Sequence, residues 1–129
     1  MASGSSAFTR GVERGLDSGS TGASLLHDIF GTRTLVLGGE MESDESADYL
    51  SGVLIGNEIR EGRAWAMARD AANARIVLIG AAALCERYAS AFTIAGLRTV
   101  SGDANAAAHG LWRLAQQAGL TAKRHPVAR

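Results

Sequence analysis

Residues 74–80, ARIVLIG, form a short apolar run that stops at a glycine, and AAALCERYASAF follows without a break. This junction limits the fold more than any other stretch. The run reads as a buried strand leading to Gly80. The alanine-rich segment after it brings Leu84, Tyr88, Ala91 and Phe92 near one apolar face, so it reads as a helix. LRTVSG then predicts a second short strand and its exit loop. ANAAAHGLWRLAQQAG predicts a second helix, with Ala107, Leu111, Leu114 and Ala118 at helical spacing. Asp103 or Ser101 is suited to cap that helix, and Gly119 to end it. The order strand, helix, strand, helix implies a small α/β layer beneath a helical region.

The helical region lies upstream. In SDESADYLSGVLIGNEIREGRAWAMA, Ser43 can cap a helix start and the nearby acids suit the positive end of its dipole. Ala47, Leu50, Leu54, Ile55 and Ile59 fall close to a helical stripe. Gly52 and Gly56 share one side of that helix and permit close approach by backbone or ligand. Gly62 is expected to interrupt it, leaving RAWAMARDAA as a second short helix. Earlier still, Leu25, Leu26, Ile29 and Phe30 predict a short helix stopped by Gly31, and TLVL a strand or buried turn ended by Gly38-Gly39. Residues 1–20 carry serine, glycine and charge with little periodicity, and read as a flexible N-terminal segment or expression remnant. Residues 120–129, with Pro126, read as a frayed C-terminal tail. The folded unit is therefore expected over residues 21–119.

Composition narrows the classes of function. A chain of 129 residues with 47% hydrophobic content suits one small domain rather than a disordered segment. Lysine plus arginine and aspartate plus glutamate number 13 each, so no basic face points to nucleic acid. Cys85 is the only cysteine, which excludes an internal disulfide and a zinc site of several thiolates. No apolar run is long enough to span a bilayer and no hydrophobic leader opens the chain, so no membrane partner and a cytoplasmic location are expected. High alanine content with only 5% aromatics gives little burial per residue, which implies marginal stability or a partner surface.

Few residues carry chemistry by pattern alone. The sequence holds no G-x-x-x-x-G-K-[ST], H-E-x-x-H or C-x-x-C. His27, His109 and His125 are scattered, and no metal site is expected of them. Glu40, Glu42, Asp44, Glu45 and Asp48 lack calcium-loop spacing and read as helix capping and a solvated face. Ser51 and Ser101 have no visible base partner for nucleophilic hydrolysis. Cys85 reads as a buried structural thiol, and Trp65 and Trp112 as packing residues. Arg33 is able to bind a carboxylate or phosphate through its fork, or to make a surface ion pair. Gly80 and Ala81 are small enough for a phosphate or nucleoside to reach backbone N–H groups. An ordinary strand-to-helix turn would also place them there.

Taken together, IFGTR, DYLSGVLIGNEI, IVLIGAAALCERYASAF and ANAAAHGLWRLAQQAG resemble the C-terminal half of the 2-dehydro-3-deoxygalactonokinase family over about residues 24–119. The resemblance implies a helix-rich C-terminal lobe of the actin-like, two-lobed sugar-kinase fold. It implies ATP-dependent phosphorylation of 2-dehydro-3-deoxygalactonate at its 6-hydroxyl in galactonate breakdown, with magnesium accompanying ATP. By the same resemblance Gly80 and Ala81 lie on the nucleotide side. Ser51, Gly52 and Gly56 match a YLSGLLIG-like helix, and Arg33 matches an arginine after the family's aromatic residue, which makes Arg33 and Ser51 candidate substrate contacts. Ala81 stands where the family often has serine or glycine. The family's Asp–Gly–Thr phosphate loop and acidic catalytic base belong to an N-terminal lobe, and no DWGTT-like segment occurs in this sequence. The chain is therefore expected to be inactive alone and to partner a complementary N-terminal lobe. A non-catalytic binding or assembly module, with homodimer formation through its small-residue helices, is the alternative.

Overall fold

The computed structural model describes residues 6–19, 22 and 24–121. Five helices and two strands follow in the order α1 (Ser6–Asp17), α2 (Leu25–Leu37), α3 (Ser46–Met67), β1 (Ile76–Leu78), α4 (Ala82–Ile94), β2 (Thr99–Ser101) and α5 (Ala106–Gln117). A single 3-10 turn, Ser43–Glu45, leads into α3. No helix among the described residues is long and apolar enough to cross a membrane.

The centre of the molecule is a contact between two helix backbones. Gly11 and Gly15 of α1 face Gly52 and Gly56 of α3, and both pairs advance along their helices together, so the two helices run side by side in parallel. A Cβ placed on Gly11 would lie 2.1 Å from Tyr49 O, and one on Gly52 would lie 2.3 Å from Phe8 O. Equivalent atoms on Gly15 and Gly56 would meet Val53 O at 2.2 Å and Val12 O at 2.3 Å. Real side chains do not tolerate such distances, so four positions must stay glycine for the helices to touch. Phe8 and Val12 flank this seam and are buried with Ile55, Ile59 and Ala91 in one cluster, while Ala7, Met41, Tyr49 and Val53 form a second. Residues 6–17 were expected within a flexible end. Gly11 and Gly15 instead belong to the tightest helix contact among the described residues, and the first five residues lie outside those.

Three further expectations about breaks are corrected. Gly31 does not stop α2, which runs on through TLVL to Leu37. Gly62 does not interrupt α3, which continues to Met67 and absorbs most of RAWAMARDAA. Ser43 is not the cap. Glu42 and Glu45 form a reciprocal capping box in which the Glu45 side chain accepts the Glu42 N–H at 3.1 Å. The positive-φ glycines do mark ends: Gly39, Gly96 and Gly119 follow α2, α4 and α5 at φ 73°, 72° and 69°. Of the expected C-terminal tail only Leu120 and Thr121 are described.

Polar ties hold the outer helices. Arg14 of α1 reaches Asp28 of α2 with Nη2 at 2.6 Å and Nε at 2.7 Å from Oδ1. The Asp28 side chain is fully buried. Burial pushes its carboxyl up, but the Ser18 hydroxyl and the Arg14 guanidinium more than offset this and hold it below the ordinary aspartate value. Ser18 Oγ and Asp28 Oδ2 are both buried, and the geometry pairs Asp28 with Arg14 through Oδ1. On the opposite side Arg87 of α4 donates to Asp48 of α3 at 2.9 Å and lies 4.5 Å from the Phe8 ring centre. Tyr88 donates to Glu58 at 2.5 Å. These ties lay α4 across α1 and α3.

β1 and β2 pair in parallel, with Ile76 opposite Thr99, Val77 opposite Val100 and Leu78 opposite Ser101. The expected burial of the first strand is only partial, since Val77 is 41% and Ile79 54% exposed. α4 connects the strands. The expected apolar stripe of α5 faces outward, with Leu111 and Leu114 at 68% and 62% exposure.

Three substitutions test this packing. Gly52→Ala is expected to lower stability by about 3 kcal/mol in urea unfolding, because overpacking here must push the α1 and α3 backbones apart. Gly62→Ala, at a helical glycine with open space around it, is expected to raise stability by about 1 kcal/mol. Equal effects at both positions would contradict the seam. Asp28→Asn is expected to cost about 2 kcal/mol at neutral pH. Because the folded-state pKa of Asp28 is depressed, the carboxylate's contribution is present above the unfolded value and is lost as pH falls through the folded one. Thermal melts of this variant and the parent should therefore converge only in acid, below the ordinary aspartate range.

Candidate functional site

The parallel register brings the carboxyl ends of both strands to one edge. Ile79, Gly80 and Ala81 lead from β1 into α4, and Gly102 to Asn105 lead from β2 into α5. The two turns touch: the Gly102 N–H donates to Leu78 O at 2.8 Å. A Cβ on Gly102 would lie 2.7 Å from Ile79 Cγ1 and 2.9 Å from Val77 Cγ1, so Gly102 holds the turns together. Sequence reasoning missed Gly102, because a glycine in an exit loop looks like a plain stop.

The two helix starts differ in charge. Ala81 precedes α4 in an extended conformation, at φ −62° and ψ 137°, and offers no side-chain acceptor. The first turn of α4 carries no acid. The Leu84 and Cys85 N–H groups return to Ala81 O at 3.1 and 3.0 Å. The N–H groups just before them have no intrahelical partner, at the positive end of the helix dipole. Gly80 and Ala81 are both exposed. A Cβ on Gly80 would come no nearer than 3.7 Å to Cys85 Sγ, so no internal contact demands glycine there. At α5 the position is already taken by an anion. Asp103 accepts the Asn105 N–H at 2.9 Å and lies 3.1 Å from His109 Nδ1. Asp103, expected as a cap, thus holds the turn before Asn105 and pairs with His109. Ser101 ends β2 instead.

The other sequence candidates stand elsewhere. Arg33 is exposed on α2 and has no carboxylate partner among the described residues. Ser51 is half-buried on α3, at helical spacing between Asp48 and Glu58, the residues that hold Arg87 and Tyr88 of α4. No hydrogen bond or ion pair among the described residues joins Arg33 or Ser51 to Gly80 and Ala81. No group of three His, Cys, Asp or Glu among the described residues could hold a metal ion. Cys85 carries a free thiol and is half-buried rather than buried. Trp65 and Trp112 are not core residues, at 59% and 58% exposure.

Two hollows lie away from the turns. One, about 370 Å³, sits at the amino ends of the strands and is lined by the last turns of α3, residues 71, 72 and 74–76, and the inner face of α4. The other, about 450 Å³, is bounded by Arg14, Asp28, Thr34 and Tyr49 between α1, α2 and α3.

Comparison with known proteins covers nearly the whole chain. A family model described as 2-keto-3-deoxy-galactonokinase matches residues 1–114, and so includes α1. The 2-dehydro-3-deoxygalactonokinase of Escherichia coli (strain K12) is 32% identical over 124 residues, covering 95% of this chain and 36% of that protein. A crystal structure of a protein assigned as a 2-dehydro-3-deoxygalactonokinase, from Sinorhizobium meliloti, superposes with a TM-score of 0.69 at 26% identity, covering 100% of this chain and 39% of that one. The chain spans little more than a third of the length of these relatives.

Proposed function

The chain belongs to the 2-keto-3-deoxy-galactonokinase family, and from that premise we propose that it forms the nucleotide-side, C-terminal lobe of an actin-like sugar-acid kinase. The reaction assigned to the assembled enzyme is ATP-dependent phosphorylation of 2-dehydro-3-deoxygalactonate at its 6-hydroxyl, a step of galactonate breakdown. One observation carries the reading. The start of α4 has no side-chain cap and no acid in its first turn, and it lies at the carboxyl edge of parallel strands, where open α/β sheets bind ligands. Gly80 and Ala81 let a phosphate or nucleoside approach those N–H groups, since neither side chain projects far into the approach.

Phosphoryl transfer requires nucleotide phosphates, metal and acceptor held in one closed site. Mg²⁺ is assigned to the ATP phosphates with which it would arrive; no group of three His, Cys, Asp or Glu among the described residues could hold it. The phosphate loop and catalytic base are likewise assigned to the complementary lobe. Arg33, whose guanidinium has no carboxylate partner among the described residues, is assigned to the acid's carboxylate. Ser51, half-buried on α3, is assigned as a second substrate contact. A non-catalytic assembly module is the second reading, favoured by the exposed apolar side of α5 and of the sheet.

The chain alone is expected to show no phosphorylation of the sugar acid, and activity is expected to appear when the remaining family segment is supplied. Nucleotide binding without turnover in either case would favour the second reading. Ala81→Asp separates packing from function. It adds a capping acceptor and is expected to raise stability by about 1 kcal/mol. It also fills the anion site with a like charge, so ATP affinity is expected to fall. Unchanged ATP affinity in a stabilised variant would contradict the assignment.

A further inference from the structure

We propose that the hollow at the amino ends of the strands is a second ligand site, which takes a small amphiphilic anion with an apolar body and one carboxylate-like head. It is separate from the nucleotide-side turn. Arg75 just precedes β1 and Gly80 just follows it, so the two sites lie roughly 16 Å apart at strand rise. The inference does not depend on the kinase reading.

Size and lining support the apolar body. The hollow measures about 370 Å³, within the range of small-molecule sites. Its floor is built by Ile59, Ile76, Phe92 and Leu97, each at least half-buried. Trp65 and Met67 form its rim and expose 59% and 65% of their surface, large areas for side chains that line one concavity. Trp65 is held in place, with the Arg69 guanidinium 4.3 Å from its ring centre and Arg69 Nη1 donating to Trp65 O at 3.3 Å.

Charge selects the head. Three ionisable groups of fixed sign line the hollow: Glu58, Arg63 and Arg75. Glu58 is already engaged by the Tyr88 hydroxyl, and this bond with burial pushes the Tyr88 phenol up to about 12, so Tyr88 stays a donor to Glu58. Neither Arg63 nor Arg75 has a carboxylate partner among the described residues. With two arginines against one carboxylate, the lining is apolar with a net positive charge, which favours an anionic occupant over a neutral or cationic one. The chain's own last residues, AKRHPVAR, are basic and would meet like charge there.

Sodium decanoate, below its micellar range, is the probe, with decanol as the neutral control. Trp65 fluorescence is followed in the full chain carrying Trp112→Phe, which removes the other, exposed indole. Decanoate is expected to give a saturable change. Affinity is expected to fall roughly tenfold for decanol, and likewise for decanoate with Arg75→Gln, as for loss of a charged hydrogen bond. Ala66→Leu, which adds volume at the lining, is expected to weaken binding as well. The proposal is overturned if decanoate gives no saturable change, if decanol binds equally, or if neither variant alters the affinity.

Discussion

The contact between Gly11–Gly15 and Gly52–Gly56 is the constraint on which the rest of this structure stands. Two parallel helices approach until the carbonyl of one occupies the space a side chain of the other would need. Dispersion and exclusion of water act over the whole seam, and they are lost together if the backbones separate. α2 is then tied back through Arg14 and Asp28, and α4 through Arg87 and Tyr88. Arg87 depends directly on the seam, because its guanidinium lies between the Asp48 carboxylate and the ring of Phe8, a residue of α1. The start of α4, and with it the turn at Gly80 and Ala81, is therefore oriented by a helix pair remote from it in sequence.

Burial is uneven along the chain, and this bears on function. Nearly all fully buried apolar residues belong to α1, α3 and the segment between them, with Ala91 the contribution of α4. The strands, the residue after β1 and α5 leave Val77, Ile79, Val100, Leu111, Trp112 and Leu114 exposed. Parallel sheets are normally covered on both faces. A two-stranded one with open apolar faces is consistent with a lobe that meets more protein, and the relatives are more than twice as long as this chain. The small alanine-rich helices give each contact little area, so the glycine seam and a few charged ties carry much of the specificity.

Much of the second half was legible in the sequence. ARIVLIG and the alanine-rich run after it announce β1 and α4, and Gly119 announces the end of α5, because local periodicity and turn chemistry decide those elements. The first half was read less well for a physical reason. A glycine inside a helix is locally unfavourable, so Gly31 and Gly62 read as breaks and residues 6–17 as a loose end. What stabilises α1 is a partner forty residues away, and a single sequence does not print that pairing. Gly52 and Gly56 were recognised as a place of close approach, but their partner was not. At the site, Gly80 and Ala81 were legible as a strand-to-helix turn. The contrast between the uncapped α4 start and the α5 start preceded by Asp103 emerges only when β1 and β2 lie side by side.

In the proposed lobe the turn after β1 faces the nucleotide. Titrating the ¹⁵N-labelled chain with ADP and following backbone amide shifts tests it most directly. The largest changes are expected on the Gly80, Ala81, Ala82 and Ala83 amides, with those around Asp103 moving less. Absence of any shift at these amides, or changes concentrated at the far end of the strands, would contradict it.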